Sequence, residues 1–182
     1  MLEQILKEIK KINKQPLIIA IDGKAASGKT TLANDLRPLI NAEIISMDDF
    51  FLPKNLRTEE RFNEIGGNIH YERFLEEVIV NLSKKHDFAY QIFDCETMDY
   101  HGQKVISNKQ NIIIEGSYSQ HPIFGDYADL TIFLDIDDYQ QKERLKKRSP
   151  YLFERFVDEW IPLENRYFQH YQIKAKANIK NK

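Results

Sequence analysis

The chain has 182 residues, of which 42% are hydrophobic and 30% charged, a size and balance that predict one domain, residues 1–182, with a substantial core. Its 26 Lys and Arg against 28 Asp and Glu give a net charge of −2, and this argues against a nucleic-acid partner, since duplex-binding proteins usually carry a basic excess. Cys95 is the single cysteine, which excludes an internal disulfide and a cysteine-based zinc site.

The N-terminal segment, residues 1–14, predicts an amphipathic helix, because apolar residues recur there at helical spacing. The segment has no uninterrupted apolar core of the kind that a signal peptide carries. The longest apolar run, residues 17–21, is far too short to span a bilayer. We therefore expect a cytoplasmic protein without a membrane partner.

Runs typical of strands and helices alternate along the rest of the chain. Predicted strands cover residues 16–22, 42–46, 89–94, 104–107, 111–116 and 130–135. Predicted helices cover residues 30–40, 70–85, 137–148 and 153–171, the last with a break at Pro162. This alternation predicts an α/β fold with a mostly parallel central sheet covered on both faces.

The loop after the first strand, GKAASGKT, fills the P-loop pattern G-x-x-x-x-G-K-[ST] completely. Its glycines let successive backbone N–H groups point inward at a helix N-terminus, which suits phosphate groups. The lysine would reach the β- and γ-phosphates, and the threonine hydroxyl can ligate magnesium. The motif predicts a P-loop NTPase fold of three layers, α/β/α, with ATP and Mg²⁺ as cofactors. The predicted nucleotide-binding residues are Gly23, Lys24, Ala25, Ala26, Ser27, Gly28, Lys29, Thr30 and Thr31.

Two short stretches bear on whether the chain is a GTPase. DYHG (99–102) matches D-x-x-G, and NKQN (108–111) nearly matches the guanine-reading N-K-x-D. Asn111 stands where an aspartate would accept hydrogen bonds from guanine, and the five residues between the stretches leave no room for the helix and strand that should intervene. The two stretches are better explained as a polar hairpin, and the GTPase hypothesis fails.

SMDDFFLP (46–53) places Asp48 and Asp49 at the end of the second predicted strand, directly before Phe50 and Phe51. Core aromatics do not favour unpaired charge beside them, so the carboxylates are expected to meet a ligand. The two phenylalanines would wall an acceptor pocket and exclude water, which otherwise competes as the phosphate acceptor.

Further acids end other predicted strands, Asp94 in AYQIFD and Glu115 in NIIIEG. Ligands of open α/β sheets bind outside the carboxyl ends of the strands, so these acids are expected on the same rim as the P-loop. Asp48 is the natural proton acceptor for an attacking hydroxyl, and Asp94 could hold a pair of substrate hydroxyls. Glu115 or Asp49 could complete, with Thr30, a hydrated magnesium shell.

The basic run KERLKKRS admits two interpretations. One is a solvated helix face. The other is a lid, about residues 137–150, whose Arg144, Lys147 or Arg148 closes over the transferring phosphate. We favour Arg148 as the catalytic lid residue, together with Lys29 of the P-loop, and assign Arg144 to the nucleotide.

With these residues in hand, the chain resembles the uridine kinase / phosphoribulokinase family of P-loop kinases from about residue 16 to 179. The resemblance is carried by GKAASGKT, MDDFFLP, QIFDCET, IIIEG and the basic stretch. It implies a nucleoside-kinase-like fold, with Asp48 as catalytic base, Asp94 holding ribose hydroxyls and Glu115 near the magnesium and the acceptor. MDDFFLP is also similar to the corresponding stretch of nicotinamide riboside kinases.

The departures from that family lie on the acceptor side. Uridine kinases follow their Tyr-Asp with a segment like Thr-His-Ser-Arg, where this chain has Thr97, Met98, Asp99 and Tyr100. Related sequences often carry an aspartate at the position of His70. His70, Phe51 and Tyr118 are therefore candidate acceptor contacts alongside Asp48 and Asp94.

These features predict an ATP- and Mg²⁺-dependent kinase that phosphorylates a hydroxyl of a nucleoside-like small molecule, with uridine or cytidine favoured. Nicotinamide riboside, pantothenate and other small alcohols stay open as acceptors, and so does homo-oligomerisation. A P-loop ATPase and a catalytically silent nucleotide-binding regulator are the alternatives of other classes. Arg166 could lie near the nucleotide, but a surface ion pair with Glu164 or a neighbour is the favoured interpretation.

Overall fold

The computed structural model describes residues 1–84, 86–94 and 97–181. The strands within these ranges are β1 (Ile18–Gly23), β2 (Ala42–Ser46), β3 (Phe88–Asp94), β4 (Asp99–Ile106), β5 (Asn111–Glu115), β6 (Leu130–Leu134) and β7 (Ile179–Lys180). Five of them form a parallel sheet in the order β2–β5–β1–β6–β7. The predicted mostly parallel sheet is thus confirmed.

Helices cover both faces of this sheet. They are α1 (Leu2–Ile9), α2 (Lys29–Ile40), α3 (Glu59–Asn63), α4 (Tyr71–Phe74), α5 (Val80–Lys84), α6 (Asp138–Arg148), α7 (Phe153–Arg155), α8 (Ile161–Tyr171) and α9 (Ile173–Lys176). A π-helical turn, Leu75–Ile79, joins α4 to α5, and a second, Phe156–Trp160, joins α7 to α8. No helix within the described ranges is long and apolar enough to cross a membrane.

The sheet is buried on both faces because its strands are apolar at successive positions. Ile112 and Ile114 of β5 belong to one core cluster, with Phe74 and Tyr167 from the helical segments on that side. The intervening Ile113 belongs to the other cluster, with side chains of α1 and α2. Burying each such isoleucine stabilises the fold by roughly 1.5–3 kcal/mol. The three-layer α/β/α architecture predicted from the P-loop is confirmed.

The strands predicted at 89–94 and 104–107 do not join the parallel sheet. They are β3 and β4, which pair antiparallel with each other in a separate two-stranded sheet. DYHG lies within β4, so the expected polar hairpin is a β-hairpin with DYHG in its second strand and a register shift between Gln91 and Phe93. Asp94 therefore ends a strand of this hairpin, and the prediction that its strand shares the sheet with the P-loop was wrong.

Three boundaries also differ from the predictions. The first helix, expected over 1–14, ends at Ile9, because the N–H groups of Lys11 and Ile12 bond three residues back and tighten the chain into a turn. The expected break at Pro162 is a π-helical turn that leads directly into α8, with the proline in its first turn. The two-residue strand β7 is too short to leave a periodic signal in the sequence.

Candidate active site

The P-loop curls between β1 and α2 at the carboxyl end of the sheet. Gly23 has φ 141°, and a Cβ atom there would lie 2.0 Å from the Leu134 carbonyl oxygen, so no side chain fits. Gly28 has φ 99° and stands directly before the first residue of α2. The backbone N–H groups at the start of that helix are thereby presented to the loop, as phosphate binding requires.

Lys29 lies back across the loop. Its buried side chain donates from Nζ to the carbonyl oxygens of Gly23 at 2.7 Å and Lys24 at 2.8 Å. The ammonium group is thus held above the loop by main-chain acceptors, without a carboxylate hydrogen-bonded to it in the described contacts. Lys24 itself points outward, to Asp135 and Asp138.

Thr30 and Glu115 lie together on the rim. The Thr30 hydroxyl donates to Glu115 Oε2 at 3.1 Å, and the Ser46 hydroxyl donates to Oε1 at 3.2 Å. Burial raises the pKa of Glu115, the charge of Asp48 raises it further, and Lys29 opposes both. A hydroxyl and a carboxylate side by side are hard oxygen donors of the kind that a hydrated Mg²⁺ takes, so the residues fit this ion. No group of three or more His, Cys, Asp or Glu side chains in the described ranges could hold a metal by itself.

Asp48 lies in a 3₁₀ turn, Met47–Phe50, whose start is capped by the Ser46 hydroxyl, which accepts from the Asp48 N–H at 3.4 Å. The residue is open to solvent, yet its carboxyl group lies deep among protein atoms, and this desolvation raises its pKa. The positive charges of Lys29 and Arg148 act in the opposite direction. Asp48 therefore lies within the electrostatic reach of both the P-loop lysine and the arginine of the predicted lid.

Asp49 faces the hairpin. Its Oδ2 accepts from the Tyr90 hydroxyl at 2.8 Å, and its backbone carbonyl accepts from the Arg73 guanidinium. Burial raises the pKa of Asp49, against the lowering effects of Tyr90 and Lys104. The contacts of Asp49 are thus on the β3–β4 side, whereas those of Glu115 are with Thr30 and Ser46. The magnesium role of Asp49 stays a prediction.

The two phenylalanines differ. Phe50 is fully buried, with its ring 4.9 Å from that of Phe74 and the Arg73 guanidinium 4.3 Å above it. It belongs to the core, so the expectation that it walls the acceptor pocket was wrong for Phe50. Phe51 is half-buried, makes an isolated β-bridge with Ile69 and packs against the core cluster that contains Phe50. Its contact with an acceptor stays a prediction.

His70, directly before α4, and Tyr100, in β4, are in contact on the predicted acceptor side of the site. His70 Nδ1 lies 3.5 Å from the Tyr100 hydroxyl, and burial lowers the pKa of the imidazole, which favours its neutral form. Asp94 ends β3, opposite Asp99 in the hairpin, and follows by four residues the tyrosine that contacts Asp49. Cys95 and Glu96 of the QIFDCET motif lie outside the described residues.

Tyr118 is less accessible than expected for an acceptor contact. It is 3% exposed, has φ 76°, and packs its ring 4.7 Å from that of Tyr167. Burial raises its pKa well above the ordinary value for a tyrosine. The structure places Tyr118 beneath the loop that follows β5, and its contact with an acceptor stays a prediction.

The predicted lid region contains α6, which begins at a side-chain cap from Asp137. Arg144 donates to the carbonyl oxygen of Ala26 in the P-loop at 3.1 Å. Arg148, one turn further, lies 5.7 Å from the centre of the Phe156 ring and acts electrostatically on Asp48. Arg144 thus contacts the P-loop, and Arg148 lies within the electrostatic reach of the candidate catalytic aspartate.

Two buried acids of the site were missed by the sequence analysis. Asp22, at the end of β1, accepts from the backbone N–H groups of Gly23, Tyr118 and Gln120, and from the Tyr167 hydroxyl at 2.8 Å. Burial raises its pKa to about 6, against the donors Gln120, Tyr167 and Gly23 and the charge of Lys29. An aspartate at the end of the apolar run PLIIAID was the available signal.

Glu164 is the second missed acid. It is 3% exposed and accepts from the Ala25 N–H of the P-loop, not from Arg166. Arg166 instead donates to the carbonyl oxygens of Phe62 and Glu64. The expected surface ion pair was therefore wrong. The contact between residues 25 and 164 joins segments 139 positions apart, and no local pattern reports it.

Two surface cavities of about 650 and 580 Å³ lie at the amino ends of the strands, away from the P-loop. The first is bordered by Asp129 and Asn178, and the second by Leu17 and Asn111. The first shares Gln120 with the surroundings of Asp22, and neither is lined by a P-loop residue, by Asp48 or by Glu115. The chemistry of the chain therefore concentrates at the opposite rim.

Comparison with known proteins agrees with this geometry. The model of the family described as AAA domain matches residues 19–159. The pantothenate kinase of Haemophilus influenzae is 27% identical over 186 residues, which cover 90% of this chain and 58% of that protein. The pantothenate kinase of Listeria monocytogenes is 26% identical, over 89% of this chain and 58% of that protein. The chain thus spans under two thirds of the length of these curated relatives.

Solved structures extend the likeness over the whole fold. A possible uridine kinase from Bacillus stearothermophilus superposes with a TM-score of 0.78 at 22% identity, over 100% of this chain and 97% of that one. A candidate fructose transport system kinase from Silicibacter sp. TM1040 gives 0.71 at 20% identity, over 100% and 99% of the two chains. At these identities the likeness concerns the fold, and it confirms the uridine kinase-like P-loop fold predicted from the motifs.

Proposed function

Since the chain belongs to the AAA domain family and has a uridine kinase-like P-loop fold, we propose that it is an ATP- and Mg²⁺-dependent kinase for a small-molecule alcohol. The observation that carries the proposal is that Asp48 lies within the electrostatic reach of both Lys29 of the P-loop and Arg148 of α6. Phosphoryl transfer needs a proton acceptor for the hydroxyl beside cations that hold the phosphates, and this arrangement supplies both.

The roles follow from the geometry. Asp48 accepts the hydroxyl proton, and its raised pKa makes it a better base than an ordinary aspartate. Lys29 and the N–H groups of the P-loop hold the β- and γ-phosphates, and Arg148 balances charge on the transferring group. Magnesium, when bound near Thr30 and Glu115, would neutralise phosphate charge.

The acceptor is proposed to be nucleoside-like, with uridine or cytidine favoured by the resemblance of MDDFFLP and QIFDCET. Asp94 would hold the ribose hydroxyls, and Phe51 and His70 would border the base. A second candidate is pantothenate, which the curated relatives in Haemophilus and Listeria favour. Nicotinamide riboside is the third acceptor in the same class. A cytoplasmic location, a small-molecule partner and homo-oligomerisation belong to the same proposal.

The test is ADP release from Mg-ATP with uridine, cytidine, pantothenate and nicotinamide riboside, each against water alone. Asp48→Asn is assayed in parallel, with Asp126→Asn at an exposed position as the matched control. The proposal expects one alcohol to raise turnover well above the water rate and Asp48→Asn alone to abolish the rise. ATP hydrolysis that no alcohol stimulates would point to an ATPase, and nucleotide binding without turnover to a regulator.

A further inference from the structure

A buried carboxylate accepts a hydrogen bond from the backbone of the P-loop. Both oxygens of Glu164, in the first turn of α8, accept from the Ala25 N–H, at 3.1 and 3.0 Å. This N–H belongs to the Gly23–Thr30 loop, whose other main-chain groups are expected to meet the donor phosphates. Glu164 is therefore part of the wall that shapes the nucleotide site.

Two further side chains complete the contact, from two other elements. Gln141 of α6, 1% exposed, donates from Nε2 to Glu164 Oε1 at 2.8 Å and to the Ala25 carbonyl oxygen at 3.2 Å. Ser117, in the loop after β5, donates from its hydroxyl to Glu164 Oε2 at 3.2 Å and to the Gly23 carbonyl oxygen at 3.0 Å. The carboxylate thus joins α6, α8 and the β5 loop to two peptide groups of the P-loop.

The charge of Glu164 is balanced within the site. Burial raises the pKa of its carboxyl group, and the charge of Lys29, the Ala25 N–H, Gln141 and Ser117 all oppose that effect. A carboxylate buried without such partners would cost several kcal/mol. The same four partners hold it beside the P-loop lysine rather than on the protein surface, which is an unusual placement for an acid that serves packing alone.

We propose that Glu164 is a positioning residue of the donor site. It fixes the Ala25 and Gly23 peptides of the P-loop and, through Gln141, couples the loop to α6, which carries Arg144 and Arg148. Preorganised N–H groups bind phosphate without first having to be ordered, so losing this brace weakens nucleotide binding. The inference rests on the proposed function only in taking the P-loop as the donor site.

The experiment is calorimetric titration of Mg-ADP, which needs no acceptor, into wild type, Glu164→Ala and Glu164→Gln. We expect Glu164→Ala to weaken binding by roughly tenfold or more, the equivalent of one lost charge-assisted hydrogen bond. Glu164→Gln keeps an oxygen for the Ala25 N–H and is expected within about threefold of wild type. This rescue by the conservative variant would not follow if the residue only neutralised charge.

Phe168→Leu is the matched control. Phe168 lies one turn further along α8 and packs on Phe133, so its truncation loosens the same helix without touching the P-loop. Melting temperatures of all variants are measured alongside. A Phe168→Leu protein that loses as much nucleotide affinity as Glu164→Ala would overturn the inference, since helix packing alone would then explain the loss.

Gln141→Ala tests the link to α6 and also replaces Glu164→Ala should that variant not fold. It is expected to weaken Mg-ADP binding by roughly three- to tenfold, and the double variant with Glu164→Ala to be no weaker than Glu164→Ala alone. If the losses of Mg-ADP affinity in the two single variants add up in the double variant, Glu164 and Gln141 do not act through the same contact. If wild type fails to bind Mg-ADP, the P-loop is not the donor site and the proposed function is contradicted. If wild type binds Mg-ADP and Glu164→Ala binds it with the same affinity, only the role of Glu164 is contradicted.

Discussion

The donor side and the acceptor side of the proposed active site are held together by different kinds of contact. On the donor side, the P-loop is held mainly by main-chain contacts and by two buried acids, Asp22 and Glu164. On the acceptor side, side chains link the Met47–Phe50 turn to the β3–β4 hairpin, with Arg73 donating to the carbonyl oxygens of Asp49 and Gln91. Phosphate groups are common to every kinase substrate pair, so backbone groups suffice to bind them. Acceptors differ, and loops and hairpins outside the sheet are free to differ with them.

The largest expected effect separates the two adjacent aspartates of MDDFFLP. Asp48→Asn is expected to lower kcat by about 10²–10⁴, the range for loss of a general base, while KM for ATP stays near wild type. Asp49→Asn is expected to cost less than about tenfold in kcat, because its carboxylate contacts Tyr90 rather than the phosphate side. Steady-state kinetics with the identified acceptor measure both. A larger loss for Asp49→Asn would transfer the base to that residue.

The donor side also predicts a pH dependence of stability. The pKa of Asp22 is raised to about 6 from its ordinary value of 3.8, so the folded state holds the proton more tightly than the unfolded chain. Its contribution to stability is therefore gained as pH falls through 6 towards 4, and is lost as pH rises again. At about 1.4 kcal/mol per pKa unit, the free energy of unfolding of wild type relative to Asp22→Asn should grow by about 2.4 kcal/mol between pH 7 and 4, and approach about 3 kcal/mol at still lower pH.

Urea denaturation of both proteins at several pH values gives that difference. The surface variant Asp126→Asn is the control, since it also removes one carboxylate but leaves Asp22 in place. A difference that shrinks as pH falls would mean that the four hydrogen-bond donors outweigh burial and keep Asp22 ionised in the folded state. In that case the ionised form of Asp22 would stabilise the donor side of the site.

Arg73 offers the corresponding test on the acceptor side. Its guanidinium is 6% exposed, donates to the carbonyl oxygens of Asp49 and Gln91, and packs over the rings of Phe50 and Tyr100. Arg73→Met would keep the packing and leave those two acceptors unsatisfied, at a cost of about 2–3 kcal/mol in unfolding free energy. KM for the acceptor should rise while KM for ATP does not. An increase confined to ATP would refute the division of the site into two sides.

The same division explains what could be predicted from the sequence. GKAASGKT and the strand-end acids Asp48 and Glu115 are local patterns, because a P-loop lies between a strand and its own helix. The contact from Glu164 to Ala25 is not local, since it depends on how α8 packs across the P-loop after 139 intervening positions. Side chains that act at such a distance leave no periodicity or spacing for a sequence pattern to report.

The misplaced strand β3 shows a signal that was available but was weighed too lightly. In β5 the residues from Asn111 to Glu115 are all buried, as a central parallel strand requires. In β3, buried Phe88 and Tyr90 alternate with exposed Ala89 and Gln91, the pattern of an antiparallel strand with one solvated face. The alternation in FAYQ is visible in the sequence, and it favours a strand of an antiparallel hairpin over a strand of the parallel sheet.

The smallest expected effect concerns the hydrogen bond between the two sides of the acceptor region. Tyr90→Phe removes only the hydroxyl that donates to Asp49 Oδ2 at 2.8 Å, and should lower the free energy of unfolding by about 1 kcal/mol. Because that hydroxyl lowers the pKa of Asp49, its loss should raise the pKa further. The acid limb of the pH profile of kcat/KM reports Asp48 under our assignment, so it should stay in place. If Tyr90→Phe moves that limb upward, Asp49 titrates in catalysis, and the hairpin is then part of the chemical machinery rather than only a wall of the acceptor site.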